Sequence, residues 1–303
     1  MAHAIEINNL TKRYGDVVAL DDVSLWVGHE EIFGIVGPNG AGKSTLINIA
    51  AGLRTRTSGD IQVLGLNPDR SARRLRERIG IQLQEAELQD RLRVHEAVQL
   101  YASFYAQPRP TTPLLEQWGL ADKRDAEFRQ LSGGQKQRLF IALALINNPE
   151  LVFLDELTAR LDPQARRLSW DLVRQVRACG TTVILVTHVM EEIERLCDRV
   201  AVIDHGKLVA LGTPEELTHR ASGEQRVHFS ANGSFHVDML NTLPGITSVS
   251  RNGADIVVTG DRYLMACVAN TLATHEIDPP DLRTERDSLD DIFLRLTGTP
   301  LRD

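Results

Sequence analysis

The stretch from Gly37 to Thr45 has the residue types and spacing that hold a chain of phosphate groups. It fits the pattern G-x-x-x-x-G-K-[ST], in which glycines let the backbone turn tightly and bring its N–H groups close to phosphate oxygens. Lys43 is expected to reach the β- and γ-phosphates, and the Ser44 hydroxyl to ligate Mg²⁺. The predicted phosphate-binding residues are Gly37, Pro38, Asn39, Gly40, Ala41, Gly42, Lys43, Ser44 and Thr45.

The sequence on either side of this stretch predicts the elements that position it. Residues 32–36 form a short apolar run typical of a buried strand, and residues 46–51 supply the apolar face of a helix. A helix that starts at the loop directs its positive end at a bound anion. A glycine turn that fits the pattern by chance is the alternative, and the strand before it and the helix after it argue against that alternative.

A second anion-binding pattern stands at residues 131–135, which read Leu-Ser-Gly-Gly-Gln and precede a helix predicted over 135–147. It offers a hydroxyl, backbone N–H groups without bulky side chains, and a helix N-terminus. A chain with one phosphate loop does not obviously need a second such site. The pair makes sense if the second site of one copy closes on ATP that another copy holds.

Composition excludes several classes of protein. The chain has 303 residues, of which 42% are hydrophobic and 25% charged, with a net charge of -7, so a generally basic nucleic-acid binder is not expected. Its longest apolar run, 139–146, is far shorter than the roughly 18–20 residues that span a bilayer. The start of the chain does not have the pattern of a signal peptide. The three scattered cysteines fit neither a disulfide framework nor a metal site, so a reducing cytoplasm is the simplest expectation.

The order of elements predicts an α/β fold. Buried strands at 32–36, 151–154 and 182–186 alternate with helices, which indicates a mostly parallel sheet covered on both faces. Strands within 4–30 and at 60–64 indicate a flanking antiparallel sheet. We therefore expect a core of the P-loop NTPase type with an antiparallel β subdomain beside it.

The sequence predicts two domains. Residues 1–220 are predicted to form one nucleotide-binding domain, with a helical subdomain at about 86–140. Residues 221–303 are predicted to form a small α+β domain, whose order βαββαβ is that of a ferredoxin-like unit followed by a helix at 289–297.

Residues 4–220 resemble the ATPases of ATP-binding-cassette (ABC) transporters, because several motifs of that family occur in its order. The matching residues are Tyr14, the Walker A loop at 37–45, the Q-loop glutamine Gln84, the signature motif at 131–135, Walker B at 151–155 with Glu156 after it, Leu161 and Asp162 at the end of the D-loop, and the switch residue His188. Each residue alone has a plain structural explanation, such as a surface aromatic, a loop polar or the end of a strand. Only their joint order favours the functional roles.

The resemblance implies ATP and Mg²⁺ as cofactors, with Tyr14 stacked on adenine. It implies that Ser44, Gln84 and Asp155 form the metal site, where oxygen ligands suit a hard cation. It also implies that Glu156 polarises the attacking water as general base. His188 would hold the γ-phosphate, and Gln84 would sense that phosphate and border a membrane subunit. The signature residues that would close on ATP held by another copy are Ser132, Gly133, Gly134 and Gln135.

Two positions depart from the pattern of the family. Leu157 stands where the family usually has proline, and Arg160 stands where it tends to have a small residue, often glycine. Proline would fix φ after Glu156, and a small residue would let two D-loops pass closely. We expect these two residues to slow hydrolysis and to leave ATP affinity nearly intact.

The end of the chain resembles the extension found on ATPases of multidrug and antibiotic self-resistance exporters, notably over residues 287–293. The resemblance implies an ATP-hydrolysing subunit that exports drugs, antibiotics or lipid-like molecules. Two copies would sandwich ATP and bind a separately encoded transmembrane permease at the cytoplasmic face of the membrane, without nucleic acid. The alternatives are a soluble ABC-type ATPase acting in translation or on DNA, and a regulatory ATP-binding module with weak hydrolysis.

Overall fold

The computed structural model describes residues 3–82, 87–158, 161–221, 225–231, 237–241, 243–261, 263–275, 277, 279, 281–285 and 288–298. The chain divides into two compact units, residues 1–214 with 296–303 and residues 215–295. Three residues discussed above, Gln84, Arg160 and Asp287, lie outside the described residues.

The first unit is built on two sheets. Its strands are β1 (Ile5–Tyr14), β2 (Val17–Val27), β3 (Ile32–Val36), β4 (Ser58–Val63), β5 (Ile79–Gln82), β6 (Leu151–Asp155), β7 (Thr182–Val186), β8 (Arg199–Asp204) and β9 (Lys207–Gly212). The central sheet has the order β5-β6-β7-β3-β8-β9, and all its pairs are parallel except β8 with β9. The predicted mostly parallel α/β sheet is confirmed. The flanking sheet, β2-β1-β4, is antiparallel.

The strands at the centre of the main sheet are buried throughout. Every residue of β3, β6 and β7 is buried, as expected for strands covered on both faces. One apolar cluster joins these strands to the flanking sheet and to the first helix, with Phe33, Ile49 and Phe153 among its fully buried side chains. The strand ends that carry the polar residues are therefore held on a rigid, close-packed base.

Helices follow the strands in the order that the sequence predicts. Those of the first unit are α1 (Lys43–Ala50), α2 (Pro68–Arg76), α3 (Val94–Ala102), α4 (Thr111–Gln117), α5 (Gly133–Ala144), α6 (Pro163–Ala178) and α7 (Met190–Leu196). Helix α6 starts at Pro163, and the Asp162 carboxylate caps it by accepting from the N–H groups of Gln164 and Ala165. Within the described residues, no helix is long and apolar enough to cross a membrane.

The second unit has its own sheet and core. Its elements are α8 (Pro214–Ala221), β10 (Gln225–Ser230), α9 (Asp238–Asn241), β11 (Ile246–Asn252), β12 (Asp255–Gly260), α10 (Leu264–Thr274), β13 (Arg283–Glu285) and α11 (Leu289–Thr297). The strands pair antiparallel in the order β11-β12-β10-β13. Val227, Phe229 and Val268 are among the buried side chains of the core between this sheet and its helices.

Candidate active site

Three polar segments meet at one edge of the central sheet because parallel strands end on the same side. The phosphate-binding loop follows β3, Asp155 ends β6, and His188 lies just beyond β7. The register pairs Asp155 with Val186 and Ile35 with Val186, which sets the three strand ends side by side. Crevices at the carboxyl ends of parallel strands are the usual ligand sites of α/β sheets.

The glycines of the loop are required by close backbone approach. A Cβ at Gly37 would lie 2.1 Å from the carbonyl oxygen of Ile203, and one at Gly42 would lie 2.4 Å from that of Ala19. Gly42 also has a φ of 106°, in the left-handed region that only glycine adopts readily. Gly42 is the N-cap of helix α1 and provides no side-chain cap, so no side chain occupies the N–H groups of the first turn as a cap would, as in helices that bind anions.

Lys43 is a buried cation at the centre of the loop. Its Nζ donates to the carbonyl oxygens of Gly37, at 2.7 Å, and Pro38, at 2.9 Å. Burial lowers the pKa of Lys43, although the nearby carboxylates of Glu156 and Asp155 act in the opposite direction. A poorly solvated cation interacts strongly with an anion. The β- and γ-phosphates of a bound nucleotide would be that anion.

Asp155 is a buried carboxylate beside a second one. Burial raises its pKa to about 6, with a smaller contribution from the charge of Glu156, while Lys43 lowers it. Asp155 and Glu156 are two carboxylates near a single lysine. When both are ionised, their combined negative charge exceeds the one positive charge of Lys43. A divalent cation with oxygen ligands fits this position.

Glu156 and His188 are held against each other. Nδ1 of His188 lies 3.4 Å from Oε1 of Glu156, and both side chains are mostly buried. Glu156 has a φ of 50°, in the left-handed region that costs a non-glycine residue energy. Its N–H donates to the carbonyl oxygen of Val186 at 2.8 Å, which ties this strained residue to the end of β7. Backbone strain of this kind is commonly found at functional positions.

The raised pKa of Asp155 predicts that the Asp155→Asn variant is more stable than the wild type at high pH, in protein free of metal and nucleotide. The aspartate ionises near 3.8 in the unfolded chain and near 6 in the folded one, so the folded form binds more protons between these values. Wild-type stability therefore falls as the pH rises from about 4 to about 6, by roughly 1–3 kcal/mol in total.

Thermal unfolding measured from pH 4 to pH 8 checks this expectation. The increase in stability that Asp155→Asn gives over the wild type should be complete at pH 8 and should shrink as the pH falls below 6. The exposed Asp171, on α6, serves as the matched control, and Asp171→Asn should show no such trend. A gain from Asp155→Asn that is the same at every pH would contradict the assignment.

The signature residues form a separate group at the start of α5. The Ser132 hydroxyl accepts from the N–H of Gln135 at 3.3 Å, and the Gln135 side chain accepts from the N–H of Ser132 at 2.9 Å. This reciprocal cap fixes the helix start. A cavity of about 350 Å³ borders Ser132, Gly133 and Gly134. Its described lining comes from α5 and from the segment 161–169, with no residue of the phosphate-binding loop.

Four further predicted positions have different outcomes. Tyr14 is 43% exposed at the end of β1, with Nζ of Lys12 4.8 Å from the centre of its ring, and its predicted stacking on adenine stays a prediction. Leu157 is buried, with 1% of its surface exposed, which its place after Glu156 in the sequence did not predict. Gln84 and Arg160 lie outside the described residues, so their predicted roles stay predictions.

Comparison with known proteins shows the family of the chain. The profile of the ABC transporter family matches residues 20–159. The Nod factor export ATP-binding protein I of Rhizobium meliloti is 36% identical over an alignment that covers 99% of this chain and 90% of the relative. The chain belongs to the ABC transporter ATPases. The family predicted from the motifs is thus confirmed.

Two further relatives of this ABC ATPase are informative. The daunorubicin resistance ATP-binding protein DrrA3 of Streptomyces coeruleorubidus is 37% identical, with 99% of this chain and 97% of the relative covered. The solved dimer of the ATP-binding cassette MJ0796 in a post-hydrolysis state, bound to ADP and Pi, is similar with a TM-score of 0.62 and 28% identity over 69% of this chain and 98% of that one.

Family membership fixes the general activity. The chain is the ATP-binding and ATP-hydrolysing subunit of an ABC transporter, and its named relatives belong to export and drug-resistance systems. ABC ATPases work with membrane permeases. They also form dimers, as the MJ0796 structure illustrates. The ABC ATPase described here is therefore associated with a membrane transporter.

Two residues near the site, Gly206 and Glu192, were not predicted from the sequence. The N–H of Gly206, in the turn between β8 and β9, donates to the carbonyl oxygen of Ala41 at 2.9 Å and so braces the phosphate-binding loop. A Cβ at Gly206 would lie 2.9 Å from the carbonyl oxygen of Ala19, so the turn admits only glycine. The second missed residue is Glu192, which is fully buried. Gly206 was visible as a turn signal, whereas Glu192 lies in a charged run that resembles a solvated helix face.

Proposed function

We propose that this ABC ATPase hydrolyses ATP at the edge of its central sheet and drives a separately encoded permease that exports drugs, antibiotics or lipid-like molecules. The observation that carries the proposal is the convergence of Lys43, Asp155, Glu156 and His188 at that edge. The Nod factor export and daunorubicin resistance relatives support export. The working position of the subunit is the cytoplasmic face of the membrane, reached through the permease.

The phosphate-binding loop supplies positioning and charge. Its backbone N–H groups and Lys43 hold the β- and γ-phosphates, and Tyr14 stacks on the adenine. Ser44, Asp155 and Gln84 would hold Mg²⁺, and the unneutralised charge of the buried Asp155 and Glu156 pair fits a divalent cation. When bound, Mg²⁺ neutralises charge that develops on the transferred phosphoryl group.

Glu156 and His188 act on the attacking water. The Glu156 carboxylate accepts a proton from this water, and its burial limits competing solvent. Nδ1 of His188 lies 3.4 Å from Oε1 of Glu156, and this contact would keep both side chains in place for the γ-phosphate and the attacking water. Most of the rate enhancement then comes from fixed charges and positioning, as phosphoryl transfer generally requires.

The signature residues complete the site of another copy. Ser132, Gly133, Gly134 and Gln135 offer a hydroxyl and a helix start with little side-chain bulk. The first three of them line a cavity whose described lining includes no residue of their own phosphate-binding loop. In a pair of copies this surface closes on ATP held by the partner's loop. Residues 1–220 are the nucleotide-binding domain of this proposal, and residues 221–303 are a separate ferredoxin-like domain.

Co-purification and efflux test the transport assignment. The tagged chain, solubilised with its membranes in mild detergent, should bring down one polytopic membrane protein in near-stoichiometric amount. Cells that express both proteins should accumulate less of a fluorescent anthracycline. The Glu156→Gln variant should bring down the same partner and should not lower accumulation. Recovery of ribosomal or DNA-bound proteins instead of a membrane protein would contradict the proposal.

A further inference from the structure

A buried carboxylate that the proposed mechanism does not use lies behind the active site. Glu192, on α7, is 0% exposed. Its Oε1 accepts a hydrogen bond from the hydroxyl of Thr158 and another, at 3.3 Å, from Nε1 of Trp170. Thr158 and Trp170 are also buried. A carboxylate in the interior is costly unless donors compensate it. Both donors meet Oε1, whereas Oε2 is buried without a hydrogen-bond partner among the described residues, so the bonds from Thr158 and Trp170 are the compensation that this carboxylate has there.

The two donors come from different parts of the site. Thr158 follows Glu156 by two residues, whereas Glu192 follows His188 by four. The hydrogen bond between Thr158 and Glu192 therefore joins the segment that carries the general base to the segment that carries the switch histidine. Trp170 lies on α6, so its bond joins α7 to a helix that carries no proposed catalytic residue.

The backbone at Glu156 needs such support. Its left-handed conformation, with a φ of 50°, persists only where the surroundings hold it. On one side it is fixed by the bond from its own N–H to the carbonyl oxygen of Val186. On the other side Leu157 is buried, and the side-chain hydrogen bond that follows it is the one from the Thr158 hydroxyl to Glu192.

We propose that Glu192 is a positioning residue that anchors Thr158 and so keeps the Glu156 carboxylate turned toward His188 and the phosphate-binding loop. The inference rests on the proposed role of Glu156 as general base. Glu192 itself touches neither nucleotide nor water in this role. Its effect should appear in the turnover rate and not in ATP affinity, because the phosphate-binding loop does not depend on it.

A pair of matched variants separates positioning from simple stabilisation of the core. Thr158→Val and Trp170→Phe each remove one donor to the same oxygen of Glu192. They should cost similar stability, but only Thr158 lies on the segment that carries Glu156. Thr158→Ser keeps the donor and tests whether the hydroxyl is the group that matters.

The experiment measures ATP turnover, ATP affinity by calorimetry and the melting temperature of the full chain. Thr158→Val should lower kcat about tenfold, a partial loss of the 10²–10⁴-fold that a positioned base supplies, with KM and Kd nearly unchanged. Thr158→Ser and Trp170→Phe should keep kcat within about twofold of the wild type. If Thr158→Val does not fold, Thr158→Ala removes the same hydroxyl without placing a methyl group against the carboxylate.

Two results would overturn the inference. In the first, Thr158→Val or Thr158→Ala, which lack the hydroxyl, keep the kcat of the wild type. In the second, kcat falls by the same factor in Thr158→Val and in Trp170→Phe. Failure of the proposed function looks different, since turnover would then survive in Glu156→Gln itself. Loss of turnover in Glu156→Gln with full turnover in Thr158→Val rejects only the role of Glu192.

Discussion

Replacing Glu156 by glutamine should abolish most ATP hydrolysis and leave ATP affinity in place. The amide cannot accept the proton of the attacking water, and loss of a general base typically costs 10²–10⁴-fold in rate. The variant keeps the size of the side chain and its contact with Nδ1 of His188. Affinity should not suffer, because the charge of Glu156 contributes to the raised pKa of Asp155, and its removal makes the Asp155 carboxylate easier to ionise.

Phosphate release at saturating Mg-ATP, together with calorimetry, checks this expectation. The exposed Glu194 on α7 offers the matched control, and Glu194→Gln should turn over ATP at the wild-type rate. If Glu156→Gln retained the wild-type rate, Glu156 could not be the base, whatever the fate of the other residues.

The second prediction with a large effect concerns assembly. With Mg-ATP bound and hydrolysis blocked by Glu156→Gln, two copies should remain closed around the nucleotide. Adding Ser132→Arg should prevent closure, because a long charged side chain would occupy the surface that meets the partner's phosphates. ATP affinity should persist in this double variant, since Lys43 and its loop are intact.

Two controls separate the causes of a failed closure. Ser132→Ala removes the cap that Ser132 provides to Gln135 without adding bulk, so it reports the loss of roughly 1 kcal/mol of helix capping alone. Lys43→Ala in the Glu156→Gln background removes the buried cation from the loop and should lower ATP affinity by about tenfold or more. Dimer loss caused by missing nucleotide is thereby distinguished from dimer loss caused by a blocked surface.

Much of the site could be predicted because its parts are contiguous in sequence. The strand β3, the loop and α1 follow one another, so the apolar run, the glycines and Lys43 specify the phosphate-binding loop locally. Asp155 and His188 stand at the ends of apolar runs, and the parallel arrangement of β6 and β7 brings them to one edge. These predictions need only the period of the side chains and the direction of the strands.

Other features depend on long-range packing that one sequence does not show. The order β5-β6-β7-β3-β8-β9 is set by pairings between strands far apart in the chain. Glu192 is buried although its neighbours Glu191 and Glu194 are exposed, and the donors that meet it, on Thr158 and Trp170, lie far from it in the sequence. Leu157 is likewise buried, and its position in the sequence gives no sign of this.

The central claim is that ATP is held between the phosphate-binding loop of one copy and the signature residues of another. Light scattering tests this most directly, because it measures the molar mass of the Glu156→Gln variant in solution. With Mg-ATP the mass should rise from that of one chain to that of two, and it should stay at one chain when Ser132→Arg is added, although calorimetry still shows bound ATP. A dimer that forms equally well with Ser132→Arg, or a wholly monomeric Glu156→Gln variant saturated with Mg-ATP, would contradict the claim.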